Sequence, residues 1–220
     1  MLLRPSTTLL RPLASMASAS ATAAARRAPI VTTTTIPRQP KQQPGPSLSR
    51  PFHASSRLLI KPGDSLPDTD ALMENTPGQR VNLAEEAQKV NNMLIIGVPA
   101  AFSPGCSTRH IPGYIAHPRL GEFESVVVVS VNDVFVMKAW GDSLDPSGDV
   151  PGIRWLADPT GKFTKMLDMN FDGSAIFGGE RSKRYAIVVE QGQVKSVAVE
   201  PDNTGLDKSL AENVLGAATA

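Results

Sequence analysis

Residues 93–98 (MLIIGV) and 125–131 (SVVVVSV) are continuous apolar runs, and they constrain the fold of this chain more than any other feature. A segment that is apolar at every position, not only at alternate ones, has both faces buried. Short runs of this kind, rich in Val and Ile, read as interior strands of a sheet covered by helices. Parallel strands need a crossover between them. The intervening residues supply it, because Pro99, Ser103, Pro104 and Gly105 favour a turn and a helix start, and a helix is expected over 105–117. Strand, helix, strand is a βαβ unit.

The pattern continues downstream. Asn132 is placed to cap a helix in which Val136, Ala139, Trp140 and Leu144 recur at helical spacing. Residues 153–157 form a short apolar run closed by the turn residues Asp158, Pro159, Thr160 and Gly161, and a helix is expected over 162–168. Residues 185–190 and 193–200 flank Gln191 and Gly192 and read as a β-hairpin. A last helix is expected over 206–215. The order is mixed α/β with an antiparallel end, and the stretch from Ile60 onward is long enough for one domain with its own core.

Charge divides the chain differently. Residues 1–63 hold nine Lys or Arg and no Asp or Glu, whereas the remaining 157 hold 13 basic and 21 acidic side chains. The net charge of +1 therefore hides a basic leader on an acidic domain. A leader rich in Arg, Ser, Thr and Ala reads as a mitochondrial transit peptide over 1–59, since Arg4, Pro5, Arg11 and Pro12 interrupt any secretory apolar core. The segment RPFHAS at 50–55 resembles the Arg-x-Phe-x-x-Ser pattern of matrix presequences, which puts the mature start near Ile60. The competing reading is a basic arm for nucleic acid. The transit-peptide reading is favoured, so no nucleic-acid partner is expected, and no run of about 18 apolar residues occurs, so no membrane partner is expected.

Cys106 is the only cysteine. That excludes an intramolecular disulfide, and it excludes four-cysteine or two-cysteine, two-histidine zinc sites within one chain. A lone cysteine is by default a small buried hydrophobe. This one falls where an apolar strand gives way to a helix, and there the macrodipole and unpaired backbone N–H groups favour the thiolate. His110 lies four residues on, so a Cys-His pair is conceivable. With no third ligand or orienting acid evident, a structural hydrogen-bonding histidine is favoured. Trp140 and Trp155 read as core or interface residues, and Arg181, Lys183 and Arg184 as a solvated basic face.

The block from Pro99 through Ser103 to Cys106 resembles the Pro-x-x-x-Thr-x-x-Cys signature of peroxiredoxins. The surrounding GVPAAFSPGCS at 97–107 and HIPGY at 110–114 are similar to the peroxiredoxin-5 and plant type-II branch. So are SVND at 130–133, LADPTG at 156–161 and VEPDNTG at 199–205. The resemblance implies a thioredoxin-like α/β fold, a central mixed sheet flanked by helices. It also implies a thiol peroxidase acting on hydrogen peroxide and small organic hydroperoxides, with no cofactor and no metal.

Under that resemblance Cys106 is the attacking thiolate, and Arg154 matches the active-site arginine that stabilises it and binds peroxide. Ser103 takes the place of the usual threonine; it keeps the hydroxyl but loses the methyl that restricts χ1, and it could also act as a helix N-cap. Pro99 shapes the pocket floor, and the backbone N–H groups of Gly105 and Cys106 contribute to binding the substrate oxygen. With no second cysteine, the sulfenic acid must be reset by an external thiol: glutathione, glutaredoxin or thioredoxin. Where some relatives carry a resolving cysteine, this chain reads TGLDKS at 204–209. A homodimer in the mitochondrial matrix is expected. The rival readings are a redox sensor or relay that passes oxidation to a partner, and an inert thioredoxin-fold binding protein.

Overall fold

The computed structural model describes residues 59–146 and 152–217. The leader expected over 1–59, including the RPFHAS segment, lies outside the described residues except for Leu59. A seven-stranded mixed sheet organises the domain, in the order β2 (Arg80–Val81), β1 (Leu72–Glu74), β5 (Ile153–Ala157), β4 (Ser125–Ser130), β3 (Asn92–Val98), β8 (Tyr185–Glu190) and β9 (Gln193–Val199). The two apolar runs are its interior strands. β3 pairs parallel with β4 and β4 with β5, whereas β8 runs antiparallel to β3. Gln191 and Gly192 both adopt positive φ in the β8–β9 turn, the backbone that a tight two-residue hairpin requires.

Side chains alternate across the sheet, and each face has its own core. On one face, Met93, Ile95, Val127, Val129, Leu156, Tyr185 and Ile187 pack with Leu83 and Ala87 of α1 (Leu83–Ala87) and with Phe163 of α4 (Lys162–Met166). On the other, Leu94, Ile96, Val98, Val126, Val128 and Ala186 pack against α2 (Ile111–Ile115), α3 (Val134–Leu144) and α6 (Ala211–Val214). Cys106 belongs to this second core. At the level of fold the expectation of a thioredoxin-like arrangement holds: a central mixed sheet flanked by helices.

Local departures have local causes. Asp133, not Asn132, caps α3, its carboxylate accepting from the N–H groups of Phe135 and Val136 at 3.0 and 2.9 Å. Asn132 is drawn away, its Oδ1 accepting from Ala101 N at 3.0 Å and from the Ser130 hydroxyl at 2.8 Å. The buried face of α3 is accordingly Val134, Met137, Trp140 and Gly141, while Ala139 is exposed. The last helix is only Ala211–Val214, because residues 206–209 are held in a loop. The short pair β6 (Asn170–Asp172) and β7 (Glu180–Ser182), joined through α5 (Ser174–Phe177), forms a separate ribbon too brief to leave a periodic signal.

Candidate active site

The chain leaves β3 at Val98, turns through buried Pro99 and Ala100, and enters a helical run at Pro104. The reversal puts Phe102 in the left-handed region at φ 60°, a conformation that costs a non-glycine residue on the order of 1 kcal/mol. Residues Cys106–His110 form a π-helical turn, with Ile111 N donating to Cys106 O, before α2 begins. Single π turns of this kind concentrate at functional sites. Ser103 accepts the Ser107 N–H on its carbonyl at 2.9 Å, but its hydroxyl makes no cap bond and has no partner among the described residues.

Cys106 is fully buried, and a guanidinium reaches it: Arg184 Nη1 lies 3.1 Å from Sγ. Arg184 is itself only 3 % exposed. Its Nε donates to the carbonyls of Thr204 and Gly205 at 3.2 and 2.8 Å, and its Nη2 to Thr204 O at 3.2 Å. Gly105 leaves the room required. A Cβ there would lie 3.3 Å from Arg184 Nη2 and 3.3 Å from Leu206 Cδ1, tight enough to press the guanidinium aside. Behind it, Gly97 lets the Tyr185 ring lie across β3, since a Cβ at that position would sit 2.1 Å from the ring. Arg184 is therefore fixed through the residue that follows it as well as through its own side chain.

The expectation for Arg154 is corrected by this geometry. Arg154 stands two residues before Leu156 on β5, opposite Val127, and both neighbours face the core of α1. Strand alternation thus points Arg154 to the face opposite Cys106. There it donates to Glu74 at 3.0 and 2.7 Å and to Glu86 at 2.5 and 3.3 Å. The hydrogen bonds to Glu74 raise its proton affinity most, partial burial opposes them, and Glu86 adds to the rise. The same alternation places Arg184 with Ala186, on the face of Cys106.

The reading of residues 181–184 as a solvated face is likewise overturned. Arg184 is buried, Arg181 donates to the carbonyls of Val131 and Phe177, and Lys183 Nζ donates to Asp168 O at 3.2 Å. Sequence reasoning missed Arg184 because it sits among basic neighbours. The available signal was its position: the residue before an antiparallel strand lies beside the exit of the strand it pairs with.

His110 is structural, as expected. Its Nε2 lies 3.0 Å from Ser209 O, so that nitrogen carries the proton, and Nδ1 has no partner among the described residues. Burial first, and the Arg184 charge second, push its pKa down to about 3, against the opposing influence of the Ser209 carbonyl and Glu200. The ring meets Tyr114 edge-on at 5.5 Å, and Tyr114 Oη donates to the same Ser209 carbonyl at 2.6 Å. Trp140 is a core residue whose Nε1 donates to Ser107 Oγ at 3.0 Å.

A buried thiol with a buried cation at hydrogen-bond distance is arranged to neutralise negative charge developing beside the sulfur on an attacked group. Residues 61–215 match the Redoxin family. A fission-yeast (Schizosaccharomyces pombe) protein named peroxisomal membrane associated protein 20 is 42% identical over 160 residues, 71% of this chain and 98% of its own. Peroxiredoxin-2F, mitochondrial, of Arabidopsis thaliana is 37% identical over 131 residues, 58% of this chain and 64% of its own. The crystal structure of peroxiredoxin 5 from Alvinella pompejana superposes with a TM-score of 0.57 at 36% identity, covering 66% of this chain and 92% of that one. The chain belongs to the peroxiredoxins. It is thus a thiol peroxidase, an oxidoreductase that reduces hydroperoxides through a peroxidatic cysteine and is reset by a thiol reductant. Within this peroxiredoxin, Cys106, Arg184 and Gly105 meet at one place, with Pro99 and Ser103 on the turn that leads to it, and Arg154 lies elsewhere.

Proposed function

We propose that Cys106 is the peroxidatic residue and Arg184 its activating cation; the 3.1 Å approach of Arg184 Nη1 to Sγ, with both side chains buried, carries this reading. The Cys106 thiolate attacks one peroxide oxygen. An S–O bond forms as the O–O bond breaks, and the electron pair leaves on the distal oxygen, which takes up a proton to become water or an alcohol. Cysteine is oxidised by two electrons to the sulfenic acid, and the peroxide is reduced by two. Arg184 donates toward the oxygens as charge develops on them. Pro99 walls the pocket, the Ser103 hydroxyl is free to hydrogen-bond the peroxide, and the N–H groups of Gly105 and Cys106 complete the binding of its oxygen.

Recycling falls to an external thiol because the chain holds one cysteine. Glutathione condenses with the sulfenic acid, releasing water, and a glutaredoxin thiol then removes the glutathione; thioredoxin is the other reductant of suitable chemistry. Intact mass spectrometry of the reduced full chain with tert-butyl hydroperoxide and glutathione tests this cycle. A rapid gain of one oxygen on Cys106, then a glutathione adduct that glutaredoxin removes, is expected, and both are absent in Cys106→Ser. Oxidation no faster than that of free cysteine would refute the assignment.

The domain limits, a transit peptide over 1–59 and a peroxiredoxin domain over 60–220, belong to the same proposal, as does a matrix location. The acid-free leader and the likeness to a mitochondrial relative support them. A fluorescent fusion of residues 1–59 that stays outside mitochondria would count against both. A homodimer is supported by exposed apolar side chains near the carboxyl ends of β3 and β4: Phe102 (55 %), Phe135 (66 %) and Ile176 (73 %).

A further inference from the structure

The carbonyls that grip Arg184 belong to a loop without regular structure, residues 201–210, and one buried carboxylate takes three hydrogen bonds from that loop. Glu200, at the end of β9, is 2 % exposed. Its Oε1 accepts from the N–H of Asp207 at 2.9 Å, from the N–H of Ser209 at 2.8 Å and from the Ser209 hydroxyl at 2.7 Å. A buried carboxylate is tolerated only where donors replace its water. Burial raises the proton affinity of Glu200, yet the backbone bonds from Ser209 and Asp207, with the Ser209 hydroxyl, outweigh it and keep the carboxyl below its ordinary range.

The connections form a closed ring. Glu200 N donates to Arg184 O at 3.0 Å, and Arg184 N donates to Asn203 O at 2.7 Å. Asp202 Oδ1 takes the Gly205 N–H at 2.6 Å and shapes the turn that aims the Thr204 and Gly205 carbonyls at the guanidinium. At the other end of the loop, Ser209 O receives His110 Nε2 and Tyr114 Oη from the helical run that carries Cys106. Glu200 therefore stands where both arms of the site meet. One arm runs through the loop carbonyls to Arg184, and the other through Ser209 to the segment of Cys106.

Resting on the assignment of Cys106 and Arg184 above, we propose that Glu200 is a positioning residue of the peroxidase: by drawing the N–H groups of Asp207 and Ser209 onto one oxygen it locks the 201–210 loop, and the locked loop holds the Arg184 guanidinium against Cys106. Glu200 acts as an acceptor of hydrogen bonds and touches neither sulfur nor substrate. Glutamine at this place keeps a carbonyl oxygen able to accept from both N–H groups, whereas alanine leaves them without a partner.

The test is a rate and its dependence on Arg184, measured in the full chain by stopped-flow oxidation of Cys106, with thiolate absorbance near 240 nm followed against pH. Misplacement of a reacting group by a fraction of an ångström to an ångström costs up to about 100-fold, so Glu200→Ala should slow peroxide reduction by roughly 10- to 100-fold and shift the thiolate titration. Glu200→Gln should restore the rate to within about threefold, since the acceptor survives. Added to Arg184→Ala, the Glu200→Ala change should slow the reaction no further, because the two then act through one element. Equal rates for Glu200→Ala and the parent would overturn the proposal. So would a Glu200→Gln rate as low as that of alanine, or an additive loss in the double variant. If Glu200→Ala does not fold, Ser209→Ala, which removes one donor and keeps both backbone bonds, should slow the reaction by about two- to fivefold, and no change would overturn the proposal. A parent-like rate in Arg184→Ala alone would instead refute the underlying site assignment, so the two failures remain distinct.

Discussion

At the scale of single residues, the two arginines separate by face. Arg184 sits on the Cys106 side of the sheet and Arg154 on the other, and nothing in side-chain chemistry distinguishes them. Arg184→Ala should slow peroxide reduction by about 100-fold, the usual cost of removing one donor aimed at developing charge. Arg154→Ala should leave that rate within about twofold while lowering stability by about 1 kcal/mol, a figure kept small because the pair with Glu74 and Glu86 is partly exposed. Stopped-flow kinetics and urea unfolding of both variants check the pair of outcomes; a rate loss confined to Arg154→Ala would reverse the assignment. The residue signature from Pro99 to Cys106 was legible because its members are close in sequence. Arg184, 78 residues beyond Cys106 in the chain, had no such local mark.

At the scale of elements, the π turn at Cys106–His110 is tied to the 201–210 loop through one histidine. His110 has a folded-state pKa of about 3, below the value near 6.5 of an unfolded histidine. The unfolded chain therefore binds the extra proton first as pH falls. The stability that neutral His110 contributes is fully present above pH 6.5 and is lost progressively from there down to about pH 3, at about 1.4 kcal/mol per pH unit. Glu200 adds its own loss only at lower pH, because its carboxyl lies below the ordinary range near 4.5. Urea unfolding of His110→Gln, which retains a donor for the Ser209 carbonyl, should show a flatter limb between pH 6.5 and 4.5 than the parent; an unchanged slope would mean that another group governs that limb. Elements long enough to show a period, β3, β4, β5, β8 and β9, were readable in advance. The final helix is shorter than the expected 206–215, because Glu200 takes the N–H groups of Asp207 and Ser209 for itself.

For the whole molecule, the apolar side chains left in solvent matter most. Phe102, Phe135 and Ile176 lie on segments joined at the ends of β3 and β4 by the Ala101–Asn132 bond and by the Arg181 bonds to Val131 and Phe177. The proposed homodimer would bury these side chains, since contiguous exposed apolar groups favour association. The full chain should run as a dimer in light scattering behind size exclusion, and Phe135→Asp combined with Ile176→Asp should convert it to monomer. A monomeric parent would remove the argument.

By itself the sequence determined the class of fold, the order of the main strands, the position of the thiol after an interior strand and the need for an outside reductant. Each of these follows from local pattern or from composition. Apolar runs must be buried, a strand must end where Pro99 and Pro104 stand, and one cysteine cannot form a disulfide within its own chain. Tertiary structure alone decided which guanidinium meets the sulfur and which carboxylate holds the loop behind it. Those contacts depend on the face to which a strand turns each side chain and on pairing between segments far apart in the chain. A one-residue change of register would exchange the faces without altering composition at all.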